Sequence, residues 1–135
     1  LSDKPLPRVS VFMSVFDCHV NRTPVTGRIE KIVYRAGKFL NADLDKASED
    51  NERNAFLIAT PSARIGVVQI AGLIARRIIC YCRVGDVLKA GQRVGLIKFG
   101  SRCDILFGPE WEITAKIGSR VVAGESVIAR MREAV

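Results

Sequence analysis

The sequence is poor in the residues that build metal centres. It has one histidine, and no two of its cysteines form a Cys-x-x-Cys pair. Structural zinc sites use four Cys or His ligands, commonly at such close spacings, so we expect no metal site. The cysteines are instead expected to be buried, free thiols of a protein from a reducing cytoplasm; they are Cys18, Cys80, Cys82 and Cys103.

Membrane-spanning segments and nucleic-acid-binding patterns are also lacking. No apolar run reaches the ~20 residues that a transmembrane helix needs, and the polar N-terminus Leu1–Arg8 does not resemble a signal peptide. Aromatic residues make up 7% of the chain and are not interleaved with basic ones, which argues against nucleic acid as a partner. The net charge of +7 still favours an anionic partner, such as an anionic lipid or a phosphorylated metabolite.

What the chain does have is a series of short runs rich in Val and Ile. Its 135 residues, 48% of them apolar, are expected to form one domain spanning 1–135. One helix is conceivable at Ala71–Arg77, although that segment also suits a strand, and the polar segment Asn41–Asn54 is expected to be a long exposed loop. The predicted strands are Val9–Phe16, Arg28–Tyr34, Ala55–Thr60, Ile65–Ile70, Ile78–Arg83, Arg93–Phe99, Arg102–Phe107, Glu112–Ile117 and Ser126–Met131.

An internal repeat refines the fold class. Val84–Val94 and Ile117–Val127 share the pattern apolar-Gly-x-x-apolar-x-Ala-Gly-x-x-Val. In each copy the first glycine opens a tight turn and the second closes a hairpin six residues later. The sequence therefore predicts an all-β, flattened barrel of short strands, similar to the barrel-sandwich (biotinyl- or lipoyl-like) fold.

Two small groups of polar residues could take part in chemistry. Asp17 and His19 are two apart, so in extended backbone they share a face, and the carboxylate could orient the imidazole for proton transfer. Arg76 and Arg77 end an apolar run, where their paired donors could bind phosphate or carboxylate. Each group also has a plain structural interpretation, namely a histidine satisfied at a strand end and two exposed arginines at the edge of an element.

Gly100 and Ser101 lie between two strand-like runs. A glycine there predicts a bend or a close backbone approach. By itself the pair is most simply a turn, but the Ser101 hydroxyl is also placed where it could attack the Gly100 carbonyl. A different idea is raised by Lys46, since Asp45-Lys46-Ala47 resembles the modified tip of a lipoyl carrier domain.

Several stretches, taken in order, resemble phosphatidylserine decarboxylases of the short prokaryotic proenzyme type. Together they cover nearly the whole chain, and they include the Asp-Lys-Ala triplet. The stretches are Val11–Arg22, Gly37–Ala42, Asp45–Glu49, Asn51–Asn54, Gln69–Gly72 with Ala75–Arg77, and Phe99–Arg102.

The resemblance implies a self-processing enzyme. Ser101 would attack the carbonyl of Gly100, and the chain would separate into a β chain, 1–100, and an α chain, 101–135. A pyruvoyl group derived from Ser101 would then react with the amine of phosphatidylserine and accept electrons as carbon dioxide leaves, giving phosphatidylethanolamine. His19 matches the family histidine associated with proton transfer.

The resemblance also implies the setting of the enzyme. Its partner would be phosphatidylserine in an anionic membrane, with the protein peripheral on the cytoplasmic face of the cell membrane and no nucleic acid bound. The α and β chains would stay together, and a homodimer is left open.

The chain departs from the family in two places. The family's Ser-Pro-Ala-Asp-Gly-like segment, which carries a catalytic aspartate, has no match in residues 1–135 and would lie upstream of Leu1. In many longer relatives a second histidine stands where this chain has Arg22. The missing aspartate segment leaves open an uncleaved, inactive decarboxylase fragment, and Asp45-Lys46-Ala47 leaves open a lipoyl-like carrier or binding module modified on Lys46.

Overall fold

The described part of the chain is built from β-strands joined by turns and loops. The computed structural model describes residues 7–13, 20–36, 51–71, 78–97, 101–122 and 125–132. These residues form no helix, and the all-β prediction is confirmed. The strands are β1 (Arg8–Met13), β2 (Val20–Arg22), β3 (Gly27–Arg35), β4 (Arg53–Ala59), β5 (Arg64–Ile70), β6 (Ile78–Cys80), β7 (Val87–Leu88), β8 (Arg93–Ile97), β9 (Ser101–Phe107), β10 (Trp111–Ile113) and β11 (Ala129–Met131).

Six of these strands form one antiparallel sheet in the order β1-β9-β5-β4-β3-β7. The sheet curls strongly into a half-barrel, as the flattened-barrel prediction requires. A second, three-stranded sheet has the order β2-β8-β6, and β10 pairs with β11 in a separate ribbon. β9 lies inside the large sheet, with β1 on one side and β5 on the other.

The hydrophobic core draws its side chains from both the large and the small sheet. Along β4, buried and half-buried residues alternate, because successive side chains of a strand point to opposite faces. The smaller sheet contributes to the same core, so the two sheets enclose it together. Its fully or nearly buried members are Ile29, Phe56, Ile58, Ile65, Val67, Cys82, Leu88, Val94, Ile105 and Phe107.

The predicted repeat corresponds to a repeated turn. Gly85 and Gly118 occupy equivalent positions and have φ angles of 97° and 84°, in the left-handed region that glycine adopts without strain. In both copies the amide after this glycine donates to the carbonyl two residues before it, at 3.1 Å. Gly91, the second glycine of the first copy, also has a positive φ of 85°, whereas its counterpart Gly124 lies outside the described residues.

Several predicted boundaries were wrong. The strand expected over Ile78–Arg83 ends at Cys80, where the chain turns toward Gly85. The strand expected from Glu112 to Ile117 ends at Ile113, and the strand expected from Ser126 begins only at Ala129. Two short strands, β2 and β7, were not predicted, because two or three residues are too few to show a period.

The predicted exposed loop Asn41–Asn54 was wrong at its C-terminal end. Asn51 is fully buried and Asn54 lies buried within β4. Both side-chain amides find partners in the interior, which is what allows polar side chains to be buried.

The remainder of the Asn41–Asn54 loop, and residues 72–77 of the conceivable helix at Ala71–Arg77, lie outside the described residues. Within the described ranges, no helix is long and apolar enough to cross a bilayer.

Candidate functional site

One end of the large sheet gathers the strand ends that flank the predicted reaction centre. β1 ends at Met13, which is paired with Ser101 at the start of β9. β5 ends at Ile70, which is paired with Arg102. The first two residues of β9 are therefore held between two neighbouring strands, both of which end at this point.

The small sheet directs its strand ends to the same place. Val20, the first residue of β2, is paired with Leu96, and Ile78, the first residue of β6, is paired with Ile97. Ile97 is the last residue of β8. The two sheets thus bring together the residues that border three stretches of the chain, 14–19, 72–77 and 98–100.

A small apolar cluster joins these ends across the two sheets. It contains buried residues from the end of β1, from just after β5 and from the end of β8, with half-buried neighbours from β6 and β9. We call it the strand-end cluster, and its members are Met13, Ala71, Ile97, Ile78 and Cys103. Apolar packing of this kind fixes the separation of the strand ends and excludes water between them.

Most of the site residues predicted from the sequence lie in the bordered stretches, outside the described residues. They are Asp17, His19, Arg76, Arg77 and Gly100, and Lys46 is outside as well. The exception is Ser101, whose backbone is described as the first residue of β9. Their predicted roles stay predictions. The described neighbours Val20, Ile78 and Ser101 do border a common place in the fold.

Beside the strand-end cluster lies a chain of buried side-chain amides. Asn54 Nδ2 donates to Gln69 Oε1 at 3.1 Å, and Gln69 Nε2 donates to Asn21 Oδ1 at 2.9 Å. All three residues are at most 5% exposed, and Gln69 is fully buried. The amide chain crosses from β4 through β5 to β2, so it links the two sheets with hydrogen bonds inside the core.

The amide chain reaches the strand-end cluster through Asn21. Its Nδ2 lies 3.7 Å from Met13 Sδ, which accepts a weak hydrogen bond. Gly95, paired with Asn21 on β8, leaves the space in which the Gln69 amide crosses between the sheets. A Cβ at Gly95 would come closer to Gln69 Nε2 and to Ile79 O than van der Waals contact allows.

A buried ion pair immediately follows Ser101. Arg102 and Asp104 are 1% and 2% exposed; Arg102 Nε lies 3.0 Å from Asp104 Oδ1, and Nη2 donates to Oδ2 at 3.3 Å. Arg8 Nη1 lies 3.6 Å from the same carboxylate, and the Phe12 ring lies 5.7 Å from the Arg102 guanidinium carbon. Two cations therefore lie beside one carboxylate along β9, and one of them, Arg102, directly follows Ser101.

Two of the described thiols, those of Cys82 and Cys103, are not prepared for nucleophilic chemistry. Burial, with a smaller contribution from neighbouring Cys80, raises the pKa of Cys82 to about 11. Burial, reinforced by the Asp104 carboxylate, raises the pKa of Cys103 to about 12. Both sulfurs are therefore protonated at neutral pH, whereas nucleophiles and metal ligands need the thiolate.

Cys80, Cys82 and Cys103 are all free. Cys18 lies outside the described residues. In the part of the chain that the structure describes, no three His, Cys, Asp or Glu side chains are grouped as a metal site.

Asn21, Asn54 and Gln69 were not predicted as site residues from the sequence. The sequence nevertheless contained a signal for them, since all three residues lie in stretches that carry the family resemblance, each in a different one. Gln69 also interrupts an apolar strand at a position that alternation assigns to the core. A polar residue at such a position needs a partner, but the sequence does not show that the partners are Asn21 and Asn54.

Comparison with known proteins agrees with the sequence resemblance. The family model described as "Phosphatidylserine decarboxylase" matches residues 2–129. The match includes the stretches that border the strand-end cluster as well as the amide chain and the buried ion pair. No solved structure matches the chain.

Proposed function

Since the chain belongs to the phosphatidylserine decarboxylase family, we propose that it works with a pyruvoyl group made from its own Ser101. Self-cleavage between Gly100 and Ser101 would give a β chain, 1–100, and an α chain, 101–135. The mature pair would convert phosphatidylserine to phosphatidylethanolamine with release of carbon dioxide.

The observation that best supports this proposal is the position of Ser101 at the start of an interior strand. β9 is paired along its length with β1 and β5, and both of these strands belong to the proposed β chain. Ile105 and Phe107 of β9 are buried in the main core. An α chain that begins at Ser101 would therefore stay bound after cleavage, with its first residue held by backbone pairing.

The bond to be cut lies where the chain passes from one sheet to the other. Ile97 ends β8 in the small sheet, and Ser101 begins β9 in the large one. Each strand has its own partners within its own sheet. Cutting the connection between them would remove no described strand from its sheet, so the fold is compatible with cleavage there.

The proposed cleavage proceeds through an ester between Gly100 and Ser101. The Ser101 hydroxyl oxygen attacks the Gly100 carbonyl carbon, the Gly100–Ser101 C–N bond breaks, and the chain is then joined through an ester. Loss of the Ser101 α-proton breaks the ester C–O bond, which leaves a carboxylate on Gly100 and a dehydroalanine at position 101. Water then releases ammonia from that residue, and the ketone of the pyruvoyl group is left.

The described surroundings of position 101 suit such a group. Met13, which is paired with Ser101, belongs to the apolar strand-end cluster, and such neighbours would help to exclude water from a small ketone at this position. When present, the pyruvoyl carbonyl supplies the electron sink that decarboxylation requires.

The remaining residues are assigned roles within the same proposal. His19 would transfer protons, with Asp17 orienting its imidazole, and Arg76 and Arg77 would bind the anionic head group. The net charge of +7 would favour an anionic leaflet, with the protein peripheral on the cytoplasmic face of the membrane. A homodimer is compatible with these assignments.

Intact-mass spectrometry of the purified gene product tests the proposal against its two alternatives. Self-cleavage predicts two fragments that end and begin at Gly100 and Ser101, together with phosphatidylserine decarboxylase activity. An intact chain with unmodified Ser101 and no activity would show an uncleaved fragment instead. An intact chain with added mass on Lys46 would show a carrier module.

A further inference from the structure

We propose that Gln69 is a positioning residue: the buried amide chain Asn54–Gln69–Asn21 holds β2, the strand that follows His19 in the sequence, at a fixed distance from the strand that begins at Ser101. This inference rests on the proposed function and adds to it a part of the machinery outside the reacting groups. Its three members come from three separate stretches of the sequence.

The hydrogen bonds of the amide chain have one direction. The Gln69 carbonyl oxygen accepts from Asn54 Nδ2, so only its NH₂ group remains for Asn21. Asn21 Oδ1 is thereby used as an acceptor, and its own NH₂ group is turned toward Met13 Sδ. Rotating any one amide by half a turn would place two donors or two acceptors against each other, which is costly in a buried site.

The Asn21 end of the amide chain bears on the proposed reaction in two ways. Asn21 lies on β2 two residues after His19, and Met13 is the residue of β1 that is paired with Ser101. The amide chain thus connects the strand that follows His19 to the strand pair that contains Ser101. Small displacements of reacting groups slow reactions strongly, about 100-fold for 1 Å.

β2 has few other hydrogen bonds that would fix its position relative to the large sheet. β2 is only three residues long and is paired with β8 alone, with a register irregularity between Asn21 and Arg22. So short a strand, paired on one side, has few backbone hydrogen bonds to fix its position. The Asn21–Gln69 bond adds a buried tie to the large sheet, and Gly95 provides the room for it.

Three variants of the complete gene product test the inference. Gln69→Leu removes both hydrogen bonds, and we expect self-cleavage to slow about 100-fold. Gln69→Glu keeps the shape of the side chain, but its carboxyl group can donate a hydrogen bond to Asn21 only when it is protonated. Burial raises the pKa of a carboxyl group, so this protonation is expected to occur closer to neutral pH. Thr60→Val is the control, since it removes side-chain hydrogen bonds from the turn between β4 and β5, at the opposite end of the sheet.

The pH dependence separates positioning from simple loss of stability. We expect the cleavage rate of Gln69→Glu, relative to wild type at each pH, to rise as the pH falls and the carboxyl group regains its proton. Thr60→Val should show the wild-type rate and pH profile. A Gln69→Glu rate equal to wild type at every pH, or a deficit that does not change with pH, would overturn the inference.

Hydrogen–deuterium exchange supplies a readout that does not need cleavage. We expect the amides of Val20–Arg22 to exchange faster in Gln69→Leu, while those of β9 stay protected. Unchanged exchange in β2 would overturn the inference even in a chain that never cleaves. Failure of the wild type to cleave would instead count against the proposed function, so the two failures are distinguishable.

Discussion

Met13 and Ser101 lie opposite each other on β1 and β9, at the end of the register that joins the two strands. Met13 also belongs to the strand-end cluster, and its Sδ accepts a weak hydrogen bond from Asn21 Nδ2. One residue therefore connects the backbone position of Ser101, the apolar contacts between the sheets and the buried amide chain.

Replacing the proposed nucleophile should stop maturation without unfolding the protein. We expect Ser101→Ala to remain a single chain, because no side-chain oxygen is then available to attack Gly100. Ser62→Ala, in an exposed turn, is the matched control and should cleave like the wild type. Denaturing gel electrophoresis and circular dichroism check the result; a Ser101→Ala chain that still separates at the same bond would disprove the proposed chemistry.

Gly95→Ala should destabilise the fold at the crossing of the amide chain. The new methyl group would overlap Gln69 Nε2 and Ile79 O, one of which is backbone and cannot rotate away. Overpacking of this kind costs about 1–3 kcal/mol in the free energy of unfolding. Urea denaturation measures it. Gly91→Asn is the control, because a Cβ at this position meets no other atom and Asn tolerates the φ of 85°. Equal losses in the free energy of unfolding for the two variants would argue against the overlap at Gly95.

The buried ion pair predicts a non-additive pair of substitutions. Asp104→Leu leaves the Arg102 guanidinium buried without its carboxylate, which should cost about 3–5 kcal/mol in the free energy of unfolding. Adding Arg102→Met should recover much of this loss, because two well-packed apolar side chains replace the pair. A double-mutant cycle by denaturant unfolding checks the coupling. If the two losses simply add, the pair is not a buried unit.

The raised thiol pKa values predict a dependence on alkaline pH. Folding keeps Cys82 and Cys103 protonated, with pKa values of about 11 and about 12 against 9.0 for an ordinary thiol. Between the unfolded and folded pKa values, the unfolded chain binds fewer protons at these thiols than the native one does. The contribution of the two thiols to the free energy of unfolding is therefore fully present below pH 9 and is lost as the pH rises through 11 and 12.

Thiol labelling measures the same effect directly. At pH 8, iodoacetamide should label Cys82 and Cys103 in the unfolded protein but only slowly in the folded one, since the thiolate is the reacting form. Peptide mass mapping assigns the labelled residues. Rapid labelling of Cys103 in the folded protein would contradict the raised pKa of its thiol.

The sequence predicted the features that depend on local pattern. The apolar runs of β4 and β5 and the glycine turns at Gly85 and Gly118 were predicted because strand alternation and positive φ angles leave a direct record in residue type. The family resemblance likewise depended on short linear stretches, and the match over residues 2–129 confirms it.

The features that depend on long-range contact could not be predicted. β2 is three residues long, and its place in the fold is set by pairing with β8, more than seventy residues away. Asn54 was assigned to an exposed loop because its neighbours are polar, but its amide is satisfied by Gln69 inside the core. Hydrogen-bond partners across sheets follow from topology, and nothing in the local pattern specifies them.

The most direct test of self-cleavage is the mass of the smaller fragment in the purified, complete gene product. Conversion of Ser101 predicts a fragment spanning 101–135 that is lighter by one ammonia than the same peptide with an N-terminal serine, and that gains mass on trapping with a hydrazine. A fragment with an intact N-terminal serine, or a chain that shows no hydrazine-reactive ketone, would contradict the proposed origin of the pyruvoyl group.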